Sequence, residues 1–213
     1  MAALAPYAPQ IFSLLLVRMQ EERTPRFCKM FIHTMCLYAS MDPQLLYRTI
    51  EGIEGGLVRT LVTKVWSQHG ANCASGERSE IQHMLVGATK LMCATDVSQQ
   101  PDAWGAALKF SLALMGSAQR QEQEASAEPF VDEDAAEARE FDSTYSRLAY
   151  AQFPDTELTG EMAAAPQFFA STLETLCRSR PGQYAPLLQQ MLDAGEMETL
   201  QRALLSAGIS ALS

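Results

Sequence analysis

Apolar residues return along this chain every three to four positions, and strict alternation over a strand's length is absent. Leu57, Val58, Leu61, Val62, Val65, Trp66 and His69 follow the i, i+3, i+4, i+7 pattern, with Arg59, Thr63, Lys64 and Gln68 opposite. That spacing describes an amphipathic helix with Gly70 as its left-handed stop. Ile81, Met84, Leu85, Ala88, Leu91 and Met92 repeat the pattern, as do Trp104, Ala107, Leu108, Leu112 and Met115, and then Tyr184, Leu187, Leu188, Met191 and Leu192. The chain is therefore expected to be all-α.

Helix boundaries carry their own signals. Thr24-Pro25 and Asp42-Pro43 each place a capping oxygen before a proline at the first helical position, where a missing N–H costs nothing. Pro101-Asp102 opens another helix, and Pro181-Gly182 and Gly195 are expected to separate the last segments. Helices follow over roughly 8–21, 25–41, 43–52, 55–69, 78–94, 102–117, 161–179, 183–193 and 196–209. Short turns force each to lie antiparallel to its predecessor. Two arrangements satisfy this, a closed bundle or an α-solenoid of stacked antiparallel hairpins of the HEAT or armadillo kind. With 213 residues, 47% of them hydrophobic, the chain has material for one sizeable core. A single domain over 1–213 is expected.

One segment breaks the pattern. From Arg120 to Asp142 nine acidic residues stand against two arginines, a local charge of −7 out of the chain's −9. Residues 120–142 are expected to form an acidic loop insertion, solvated at least through its first half. The acidic balance argues against nucleic acid, because phosphate neutralisation needs a Lys/Arg surface, and against an anionic membrane surface. The longest apolar run, Ile11 to Val17, is interrupted by Ser13 and is far shorter than the roughly 20 residues of a bilayer span. Arg18 closes that run and no basic residue precedes it, so no secretory signal is expected. The five cysteines are widely spaced and contain no CxxC, which reads as a reduced, intracellular thiol set.

Catalytic patterns are missing: there is no GxSxG, no GxGxxG and no GxxxxGK[ST]. The glycines of Glu51-Gly-Ile-Glu-Gly-Gly56 follow no strand and read as a helix–helix turn. Cys28, His33 and Cys36 share a helix, but at 100° per residue the latter two point about 140° and about 80° away from Cys28, too divergent for one tetrahedral ion. His69 and Cys73 straddle the expected turn at Gly70 without a second ligand pair. No enzyme activity, cofactor or metal is expected. The acidic runs lack the ligand spacing of a calcium loop. Asp132, Glu133 and Asp134 are the candidate partner-binding cluster, suited to docking a basic protein.

Several stretches, taken in order, resemble a known family. Tyr7-Ala-Pro-Gln-Ile-Phe-Ser-Leu-Leu, Arg18-Met-Gln, Thr24-Pro-Arg-Phe-Cys-Lys-Met-Phe, Leu37-Tyr38, the Ile50-Glu-Gly-Ile53 turn and Val86-Gly-Ala-Thr-Lys-Leu91 are similar to the C-terminal end of the CAS-type exportins, the importin-α re-exporters of the importin-β superfamily. Tyr145-Ser-Arg-Leu-Ala-Tyr-Ala151, directly after the acidic segment, has that family's Phe/Tyr-Ser-x-Leu-Ala-aromatic-Ala form. The resemblance implies a HEAT-repeat superhelix that binds importin-α together with Ran-GTP, shuttles between nucleus and cytoplasm, and catalyses nothing. Without the resemblance, the same periodicity describes a generic helical-repeat scaffold unrelated to nuclear transport.

Overall fold

The computed structural model describes residues 5–21, 24–126, 160–210 and 212. The proline caps form as their chemistry dictates. Helix α1 (Ala8–Glu21) is followed by α2 (Pro25–Met41), whose Phe27 amide donates to Thr24 Oγ1 at 3.3 Å, and by α3 (Pro43–Ile53), whose Leu45 amide donates to Asp42 Oδ1 at 2.9 Å. Each cap satisfies one of the amides a helix start leaves without a partner. Gly56 takes the left-handed conformation, φ +79°, that starts the next helix.

That helix differs from the expectation over 55–69. Helix α4 (Leu57–Thr60) passes through a π turn at Leu61–Trp66 into α5 (Ser67–Ala74) without leaving the right-handed region. Gly70 is therefore not a stop. It lies inside the helix without a left-handed φ, and a methyl added there would meet the Phe110 ring in ordinary contact at 3.4 Å. Helices α6 (Arg78–Ala94) and α7 (Pro101–Ser126) flank a 3₁₀ turn at Asp96–Gln99, and α7 runs nine residues past its expected end. Its last turns, Arg120-Gln-Glu-Gln-Glu-Ala, are made of strong helix formers, and propensity continues the helix where apolar periodicity stops. The start of the expected acidic loop is thus helical to Ser126, and 127–142 lie outside the described residues. Helices α8 (Ala165–Ser179), α9 (Tyr184–Met191) and α10 (Ala194–Ser206) complete the order. Gly195 does not separate the last two. It sits in the first turn of α10, behind a reciprocal cap in which Asp193 accepts from the Glu196 amide at 2.8 Å and Glu196 accepts from the Asp193 amide at 3.0 Å.

Residue pairs across the helices settle bundle against stack. Helices α1 and α2 are antiparallel, with Met19 beside Cys28 and the Phe12 ring 5.2 Å from that of Tyr38. Helices α2 and α6 are parallel: Lys29 meets Glu80 at 2.8 Å, His33 faces His83, Cys36 abuts Gly87, and the Lys90 ammonium donates to the Ser40 carbonyl at 2.7 Å. Helix α8 continues that row beside α6, where Lys90 lies over the Phe168 ring and pairs with Glu161 at 2.6 Å. A second row is parallel too. Arg59 on α4 meets Asp102 at 2.8 Å, Trp66 meets Phe110 at 4.7 Å between ring centres, and Ser117 donates to the Ala74 carbonyl, so α4–α5 and α7 run together. Helix α10 extends this row, with Lys109 paired to Glu196 at 3.2 Å.

Hairpins whose like members lie side by side in the same direction form a solenoid, and α8 does not pack back onto α2 to close it. The chain is an all-α stack of antiparallel hairpins, with no strand among the described residues. Between the two rows runs one contiguous apolar core, in which Phe12, Phe31, Trp66, Trp104 and Phe169 are fully buried. Tyr184 ties α9 into it: its ring lies 4.8 Å from Trp104 and its hydroxyl donates to the Ser98 carbonyl at 2.9 Å.

Candidate partner-binding surface

The residues with chemical potential do not converge. Cys28 and Cys36 are buried, with Cys28 against Met19, whereas His33 faces α6. His69 is buried on α5, one turn before Cys73. Burial raises the Cys73 and Cys93 thiols to about 12 and Cys177 to about 11, and pushes Cys36 up as well. Thiols held this way are not thiolates at neutral pH and make poor nucleophiles or metal ligands. No group of three His, Cys, Asp or Glu residues able to hold a metal ion occurs among the described residues.

The glycine-rich turn is occupied from within. The Glu51 carboxylate accepts from the Gly56 amide at 2.6 Å and from the Val58 amide at 2.9 Å. Those amides form the positive end of α4, and an anion from the chain itself already sits there. The first half of the expected turn, Glu51 to Ile53, is the end of α3, and the connection itself is Glu54–Gly56, capped by Glu51 from that helix end.

Charge on the described helices is largely neutralised in pairs. Besides the bridges already named, Arg178 reaches Glu174 at 2.6 Å and Arg202 reaches Glu198 at 2.8 Å, both one turn apart. The α2–α6 junction holds the most coupled set. Burial would raise the Glu80 carboxyl, but the hydrogen bond and charge of Lys29, aided by His33, hold it below its ordinary value. Burial lowers His33, Glu80 pulls it up, and His83 and Lys29 push it down, leaving a net lowering. His83 Nδ1 lies 2.7 Å from the Ser79 carbonyl oxygen.

What the stack offers a partner is surface. A groove of about 500 Å³ runs between α5, α7 and the start of α10. Ala71, Ala113 and Gly116 line it, so a partner's backbone can approach closely, and nothing lies within 4 Å of a methyl placed on Gly116. The Lys109–Glu196 pair, Asp193 and Arg120 supply its charge. Sequence reading did not single out this groove. Its only trace was the stripe Lys109, Leu112, Ala113, Gly116, Arg120, indistinguishable in sequence from an ordinary helix face. The candidate cluster Asp132, Glu133 and Asp134 lies outside the described residues, in the segment that follows α7 beyond Ser126. No helix among the described residues is long and apolar enough to cross a membrane.

Comparison with known proteins gives these surfaces a context. The family model described as CAS/CSE protein, C-terminus, matches residues 1–203. The chain is similar to the proteins named Exportin-2 from Mus musculus, Bos taurus and Homo sapiens, each 25% identical over 215 residues that cover 97% of this chain. It spans 21% of the length of these relatives. No solved structure matches.

Proposed function

Because the chain belongs to the CAS/CSE family of nuclear export receptors through their C-terminal region, we propose that it serves as the C-terminal part of a receptor that returns importin-α to the cytoplasm together with Ran-GTP, by protein–protein binding without catalysis. The match over residues 1–203 carries this reading. The structure is compatible with it, since a stack of hairpins presents long helix faces and grooves and needs no reactive pocket. The acids Asp132, Glu133 and Asp134 serve as an electrostatic docking element for a basic partner, with importin-α in that role. Such a receptor shuttles between nucleus and cytoplasm.

The test is a pull-down with purified components, using this chain extended to full receptor length, importin-α, and Ran loaded with GTP or GDP. A complex of all three that forms with GTP and fails with GDP is the expected result. Recovery of neither importin-α nor Ran-GTP leaves a generic helical-repeat scaffold. Replacing Asp132, Glu133 and Asp134 with Asn, Gln and Asn slows association and flattens its salt dependence, while the dissociation rate changes little.

A further inference from the structure

Helices α6, α7 and α8, with the last residue of α10, surround a cavity of about 260 Å³. Its floor is buried and comes from Ile81, Gln82 and Leu85 on α6 and Met115 on α7. Its rim is open, with Arg78, Gln167 and Ser206 exposed. A cavity of about 150 Å³ holds a benzene-sized molecule, so this one takes a polar side chain together with the atoms that carry it. The floor holds one polar group. Gln82 is 7% exposed, and its Oε1 is buried without a hydrogen-bond partner. The other described side-chain atoms in that state belong to Tyr38, Trp66, Gln100 and Trp104, none of which lines this cavity. A carboxamide oxygen buried without a donor costs folding free energy, and leucine would occupy the same position on α6 without that cost. Gln82 thus gives up stability at a point that faces a cavity, where a ligand's donor would arrive.

We propose that this cavity is a binding site for a neutral carboxamide, the side chain of a glutamine or asparagine that a partner protein inserts between α6 and α8. A primary amide supplies what Gln82 lacks. Its N–H donates to Gln82 Oε1 and its carbonyl accepts from Gln82 Nε2, so the two groups pair through two hydrogen bonds. The methylenes of the incoming side chain lie against Ile81, Leu85 and Met115. A carboxylate fits worse, because it has no N–H to give and sets its charge beside an oxygen it cannot satisfy. An aliphatic side chain fills the volume and leaves Oε1 unpaired. The rim favours a side chain carried on a protein over a free molecule. Ser206 Oγ donates to the Ala203 carbonyl at 2.8 Å and keeps its lone pairs for a main-chain N–H beside the inserted residue, and the Gln167 carboxamide is exposed on the other side. The site does not depend on importin-α being the partner that supplies the side chain.

Amide-resolved NMR titration of the 213-residue chain with three blocked residues that share one backbone, N-acetyl methylamides of glutamine, glutamate and leucine, tests this, with benzamide as a free amide. The expected result is binding of the blocked glutamine with a dissociation constant on the order of 10 mM, at least tenfold tighter than the glutamate and leucine analogues, with shifts centred on Gln82, Leu85 and Gln167. Q82L removes the binding yet raises the melting temperature by about 2 to 6 °C, because an unpartnered buried oxygen is replaced by carbon. A118L, which fills the cavity from α7, also removes it. No binding of the blocked glutamine up to about 100 mM, equal binding of all three analogues, binding that survives Q82L or A118L, or a Q82L protein less stable than wild type overturns the proposal. Benzamide binding without the blocked glutamine overturns it too, and assigns the cavity to a free amide.

Discussion

Replacing Gly87 with alanine tests the parallel packing of α2 on α6 at its closest point. A methyl at this position would sit 2.5 Å from the Cys36 carbonyl carbon and 2.6 Å from its Cα, and closer still to the carbonyl oxygen, where ordinary contact begins at 3.4 Å. The obstacle is helix backbone, so no side chain can swing aside and the helices must part by about 1 Å. Opening a packed junction that far costs about 1 to 3 kcal/mol, and the upper part of that range applies because the contact is buried on both helices, at Cys36 and at Gly87. Alanine recovers about 1 kcal/mol through its better helix propensity. The net loss is about 1 to 2 kcal/mol, which for a chain of this size lowers the melting temperature by about 2 to 8 °C. The control is Gly116→Ala, also inside a helix but with open space around the new methyl. It gains the propensity without the clash and raises the melting temperature by about 2 °C. Calorimetry of both variants reads the opposite signs. A Gly87→Ala protein as stable as wild type would refute the close α2–α6 approach and the layer order built on it.

Removing the Glu51 carboxylate with Glu51→Ala leaves the Gly56 and Val58 amides to solvent and lowers stability by about 1 kcal/mol, readable as a melting temperature reduced by about 2 to 4 °C. Stability should also fall on acidification. His33 is lowered from 6.5, so its contribution is complete above that pH and declines as the unfolded chain takes up a proton below it; Glu80 is lowered from 4.5, so its contribution is lost as pH falls through the carboxylate range. Denaturant titrations at stepped pH should show both losses on the acid side, and stability that rises between pH 7 and 5 contradicts the junction described. Thiol labelling at pH 8 should be slow in the native protein and reach five equivalents in denaturant, because burial holds Cys36, Cys73, Cys93 and Cys177 well above that pH; rapid native labelling of several thiols contradicts their placement.

Helix identity and the capped helix starts were legible in the sequence because they rest on local chemistry. Thr24-Pro25 and Asp42-Pro43 need no tertiary information, and the ranges 8–21, 25–41 and 78–94 agree with the helices formed. Errors arose where a neighbour outvotes the local signal. Gly70 reads as a stop, yet it is buried inside a helix that runs on to Ala74, facing Phe110 from forty residues along the chain. The π turn at Leu61–Trp66 directs Trp66 onto the same Phe110, a packing demand without a local signature. The end of α7 was missed for the opposite reason, since Gln and Glu carry helix propensity but no apolar period. Asp193-Ala-Gly-Glu196 carries a capping-box signal of its own, and Gly195 within it competes as a breaker signal that the reciprocal cap overrides. The groove beside Gly116 depends on three helices meeting, which no single stretch encodes. The family resemblance found in ordered short stretches was recovered independently over residues 1–203.

Cross-linking along the α2–α6 junction bears most directly on the stacked fold from which everything else is built. With a short bifunctional maleimide, K29C/E80C and H33C/H83C should each give an internal cross-link, because these positions meet when both helices run the same way. K29C/K90C should give none, since the eleven residues from Lys29 to Ser40 hold its two sites about 16 Å apart along the axis. Efficient cross-linking of K29C/K90C with failure of the other two pairs would mean that α2 and α6 run in opposite directions, and the row of parallel hairpins would not exist.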